Sequence, residues 1–73
     1  MPHRYIAWAY IPPYPHSGRV LYDAARWPTY VPWERMRDVI SCDATDYLEV
    51  NGANKREAIQ EFRALRAIDE EAR

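Results

Sequence analysis

From Arg4 to Ile11 the chain reads RYIAWAYI, a run dense in β-formers that halts at Pro12, and this predicts a strand. Both of its faces are apolar, with Ile6, Trp8 and Tyr10 on one side and Tyr5, Ala7, Ala9 and Ile11 on the other. A strand covered on both faces lies centrally in its sheet. Small alanines on one face let a helix approach closely, while the Trp8 face must meet something else. Arg19 to Ala24, RVLYDA, places Val20 and Tyr22 on one face and Leu21 on the other, which predicts the antiparallel partner of the first strand. Between them, Pro12, Pro13 and Pro15 favour polyproline II geometry and Ser17-Gly18 supplies turn chemistry. The expected connector is a stiffened hairpin loop of about six residues.

Residues 26 to 33, RWPTYVPW, contain Pro28 and Pro32, which exclude a central strand and interrupt a helix. An irregular aromatic loop is expected. Pro32 can open a helix through WERMRDVIS, residues 33 to 41, whose Trp33, Met36, Val39 and Ile40 recur at three and four. The same residues also fit a strand. DYLEV, Asp46 to Val50, alternates, with Leu48 and Val50 inward and Tyr47 and Glu49 outward, as in a half-exposed strand. Asn51-Gly52 is expected to turn the chain.

Asn54, with Glu57 three positions later, forms a capping-box pattern that predicts a helix from Lys55 to about Ala72. Its apolar stripe is Ala58, Ile59, Phe62, Leu65 and Ile68, and its target is the Ala7/Ala9 face. Together these elements predict a single α+β domain over residues 1–73. It is a small two-layer fold of order ββαβα, with a mostly antiparallel sheet of about three strands packed by the C-terminal amphipathic helix.

Composition limits what such a domain can do. At 73 residues with 48% hydrophobic side chains it is a folded globule with a small interior, rich in tryptophan and tyrosine. The net charge of −1 removes the excess of cations on which non-specific binding to nucleic acid or anionic membrane depends. One cysteine, Cys42, cannot form an internal disulfide, and no run of apolar residues is long enough to span a bilayer. The N-terminus Met-Pro-His-Arg carries no apolar leader, so a soluble, cytoplasmic protein without a membrane partner is expected.

No constellation for catalysis emerges. His16 and Ser17 are adjacent on an extended loop and point apart, with no acid near to orient them, which fits a solvated turn. Cys42, Asp43 and Asp46 match no zinc or calcium spacing, so no metal is expected. The two glycines, Gly18 and Gly52, are each read as turn residues, leaving no phosphate cradle and no cofactor site. Pro12 and Pro15 satisfy a bare P-x-x-P pattern, but the stretch is tied between two expected strands and reads first as a connector, with Tyr14 and His16 displayed from it.

The expected contact surface is therefore aromatic: Tyr14, Arg26, Trp27, Tyr30 and Trp33. Tryptophan, tyrosine and arginine carry much of the binding energy at protein interfaces, although the cluster Trp27, Tyr30 and Trp33 equally suits the lid of a small core. A non-enzymatic protein-binding module is the primary expectation. The alternatives are a homodimer that buries the same rings and, disfavoured by charge, single-stranded nucleic-acid binding by stacking.

Nine arginines against one lysine, with ten alanines, form a pattern expected of a GC-rich coding sequence. In size and composition the whole chain resembles the small orphan accessory proteins of phages of GC-rich bacteria. The resemblance includes no motif and assigns no residue roles. It implies a protein that inhibits or redirects a host protein.

Overall fold

A computed structural model describes residues 2–12 and 18–71, with side chains described as far as Ile68. The elements follow in the order β1 (His3–Tyr10), β2 (Leu21–Arg26), α1 (Trp33–Arg37), β3 (Ala44–Gly52) and α2 (Lys55–Glu71). The three strands form one antiparallel sheet of order β2-β1-β3, so β1 is central, as its two apolar faces require. Residues 13–17 of the proline connector, including Tyr14 and His16, lie outside the described residues; at its end Gly18 adopts φ 92°, the left-handed conformation that suits a turn glycine.

Each face of β1 carries its own core. Tyr5, Ala7 and Ala9 lie with Ala24 of β2 and Val50 of β3 beneath Ala58 and Phe62 of α2, and the alanines are the small residues that let this helix settle onto the sheet. Ile6 and Trp8 on the opposite face pack against Met36 of α1, flanked by Trp27, Val31, Trp33 and Ile40. The segment between β2 and β3 thus forms the cover of the second face. The buried Trp8 indole N–H has no hydrogen-bond partner among the described residues, a cost that the ring's buried area must offset.

The capping box forms at the start of α2. Asn54 Oδ1 accepts from the Glu57 backbone N–H at 3.0 Å, and Glu57 reaches back to the Ala53 N–H at 3.0 Å, one residue before the cap. The expected stripe is covered only in part. Ala58 and Phe62 are buried, but Leu65 and Ile68 are exposed.

Several boundaries differ from the sequence reading. β2 begins at Leu21 and runs on to Arg26, because the Trp27 N–H donates to the Arg4 carbonyl and carries the ladder two residues past Ala24. α1 ends at Arg37, where the Asp38 and Val39 N–H groups bond three residues back, a tighter turn that swings Val39 into solvent and out of the expected stripe. β3 is longer than expected, and its register shifts beside Ala9 and Tyr10, with Thr45 as the extra residue.

Gly52 does not turn the chain. It ends β3 opposite His3, and a Cβ there would meet the Ala58 backbone nitrogen at 2.7 Å. The glycine therefore serves the close approach of the first turn of α2, and the reversal falls on Ala53 and Asn54.

Candidate interaction surface

Strand register creates the surface. Because Tyr5 pairs with Arg26, the start of β1 and the end of β2 bring His3, Arg4, Arg26 and Trp27 to one end of the sheet. Pro28, Thr29 and Tyr30 continue from there, and the group lines a groove of about 530 Å³.

Arg4 holds the groove's wall. Its guanidinium stacks 4.1 Å from the Trp27 ring centroid, while its Nε donates to the Trp27 carbonyl at 3.2 Å and its Nη2 to the Pro28 carbonyl at 3.3 Å. One side chain thereby fixes both the ring and the backbone that follows it. The Trp27 indole N–H donates to the Val31 carbonyl at 2.7 Å, which closes the proline-bounded loop onto the ring. A further bond, Val31 N–H to the Pro28 carbonyl at 3.0 Å, tightens the same turn.

At the tip of this braced turn, Tyr30 is 85% exposed. Arg26 is also exposed, and among the described residues its guanidinium meets His3 alone, through Nη2 to the ring Nδ1 at 2.7 Å. His3 accepts this bond, so its proton sits on Nε2 in this arrangement. Among the described residues the groove lining holds two arginines and a histidine and no carboxylate.

Trp27 continues into a row of rings. Its centroid is 5.7 Å from that of Trp33, which lies 5.3 Å from that of Tyr47 on β3. Both tryptophans are half-buried against the Ile6, Trp8 and Met36 core, whereas Tyr47 is half-exposed at the end of the row.

Of the expected contact residues, the fold brings Arg26, Trp27 and Tyr30 together around the groove. Trp33 stands behind them as the link from Trp27 to Tyr47, and Tyr14 lies outside the described residues. Trp27 and Trp33 pack against a core, and Tyr30 faces solvent. Sequence reasoning missed His3, Arg4 and Tyr47. The signal for Arg4 is its place opposite Trp27 in an extended β1–β2 ladder, which becomes visible only when the register is known.

Of the acids near Cys42, Asp46 is engaged elsewhere. It forms an ion pair with Arg66 of α2, while the Asp43 backbone N–H, not its carboxylate, bonds to Ser41 Oγ at 3.2 Å, and Cys42 is exposed. Among the described residues no three histidine, cysteine, aspartate or glutamate side chains converge as a metal cluster. No described helix is long and apolar enough to cross a membrane. Comparison with protein-family models, curated proteins and solved structures finds no match to this chain.

Proposed function

We propose that this chain is a non-enzymatic protein-binding module that docks a partner across the groove formed by Arg26, Trp27 and Tyr30. The observation that carries the reading is the display of Tyr30, 85% exposed, on a loop that Arg4 and Trp27 brace through a stack and hydrogen bonds. An isolated exposed tyrosine is ordinary. One at the tip of a braced turn, beside an exposed arginine and the accessible side of a tryptophan, loses little entropy when a partner covers it. The composition of the chain supports a setting in which the partner is a host protein that a small accessory protein inhibits or redirects.

Affinity capture from a lysate of the source cell tests the reading, with the intact chain compared against a variant carrying both Arg26→Ala and Tyr30→Ala. Both side chains are exposed, so the variant should keep its circular dichroism spectrum and melting temperature. A partner retained by the intact chain and lost by the folded variant supports the groove. Equal retention by both proteins refutes it.

A second reading is self-association through the same rings, favoured by the half-exposed Tyr47 that ends the aromatic row on the outer strand β3. Sedimentation over a range of concentrations distinguishes it, since a monomer throughout the micromolar range eliminates a dimer.

A further inference from the structure

We infer that the groove's occupant is a peptide segment in which an acidic side chain stands next to an apolar one, the carboxylate being received by Arg26. The inference rests on the protein-binding reading above and adds the chemistry of the partner. Its basis is charge complementarity. The chain as a whole carries a net charge of −1, yet among the described residues the groove is lined by Arg4, Arg26 and His3 and by no aspartate or glutamate. The local sign is thus opposite to that of the molecule.

The two arginines are not equivalent. Arg4 commits its Nε and Nη2 to main-chain carbonyls and its flat face to Trp27. Arg26 spends Nη2 on His3 Nδ1, and this leaves its remaining N–H groups for an incoming acceptor. A guanidinium presents paired N–H groups in a planar fork that matches the two oxygens of a carboxylate. The histidine contact steadies that fork, so less side-chain entropy is lost when the acid arrives.

Beside the fork, Trp27 and Tyr30 offer ring surface to a neighbouring aliphatic or aromatic side chain. The same geometry suits nucleic acid poorly. A single-stranded phosphate track needs cations along its path, and here one arginine is available at one end of the sheet while the other is bound to the Trp27 and Pro28 carbonyls.

Fluorescence anisotropy with a labelled decapeptide of alternating glutamate and leucine tests the inference, with the glutamine-and-leucine counterpart as reference and decathymidylate as competitor. The proteins are the intact chain, Arg26→Gln, which keeps a polar side chain but removes the charged fork, and Tyr30→Ala. The expected result is that the glutamate peptide binds at least about tenfold more tightly than its counterpart, a margin of about 1.4 kcal/mol. Arg26→Gln should erase most of that preference, and Tyr30→Ala should weaken both peptides alike.

Equal binding of the two peptides, with both weakened by Tyr30→Ala, overturns the acidic occupant while leaving the groove as a protein-binding site. Binding of neither peptide at millimolar concentration also overturns it, and the lysate capture then decides the broader reading alone. Displacement by decathymidylate at lower concentration than by unlabelled glutamate peptide overturns it in favour of nucleic acid.

Discussion

The indole N–H of Trp27 donates to the carbonyl of Val31 at 2.7 Å, so the ring that covers the second core also closes the loop that displays Tyr30. Core packing and surface display therefore share one side chain. Trp27→Phe keeps most of the ring but removes the donor and weakens the stack with Arg4, and should cost about 1–2 kcal/mol. Urea denaturation followed by circular dichroism measures the loss. A variant as stable as the parent would show that the Val31 contact and the Arg4 stack contribute nothing.

Phe62 should be the most costly single truncation. It is 1% exposed, sits at the centre of the α2 face and forms a T-shaped pair with the Tyr22 ring, their centroids 6.2 Å apart. Phe62→Ala leaves a cavity between helix and sheet and is expected to cost about 3–5 kcal/mol. For a domain this short, that is comparable with its entire stability, so the variant should lack a cooperative thermal transition. A sharp melt near the parent temperature would show that α2 is not the main cover of the sheet.

These energies follow features of unequal legibility. β1 and α2 could be read directly because their signals are local: apolar residues on both faces ending at Pro12, and Asn54 paired with Glu57 ahead of a periodic stripe. The end of β2 was not legible, since Arg26 joins the strand only through the bond from the Trp27 N–H to Arg4 across the ladder. Helical spacing likewise suggested that Val39 belongs with Met36, but bonds three residues back end α1 early and expose it. Residue type identified Arg26, Trp27 and Tyr30 as contact candidates, whereas the division of labour between Arg4 and Arg26 depends on strand register and appears only in three dimensions.

Gly52→Ala provides a test of the close contact between β3 and α2. The added methyl would lie 2.7 Å from the Ala58 nitrogen and 3.1 Å from the Glu57 carbonyl carbon, and both are backbone atoms of the helix's first turn. Backbone cannot step aside as a flexible side chain can. The expected destabilisation is about 1–3 kcal/mol, read from the urea midpoint. An alanine variant as stable as the parent would mean that α2 can shift away from the strand end without losing its packing.

The N-cap predicts a graded pair of effects. Asn54→Ala removes the acceptor for the Glu57 N–H and should cost about 1 kcal/mol. In a domain of this size that corresponds to a fall in melting temperature of about 4–8 °C. Asn54→Asp keeps an oxygen in place and adds a negative charge at the positive end of the helix dipole, so it should hold the parent temperature or exceed it. Equal losses from both substitutions would show that Asn54 does not cap α2.

Tyr30→Ala should separate display from folding. The ring is 85% exposed, and neither the Trp27 to Val31 bond nor the Arg4 stack involves its side chain. Its removal should therefore change stability by no more than about 0.5 kcal/mol. Trp33→Ala is the contrasting variant, because Trp33 links Trp27 to Tyr47 above the Ile6, Trp8 and Met36 core and is expected to lose about 2–4 kcal/mol for a half-buried ring. Paired denaturation curves for the two variants decide the matter. If Tyr30→Ala proves as destabilising as Trp33→Ala, the braced turn owes its shape to the tyrosine itself, and Tyr30 belongs to the fold instead of to a partner.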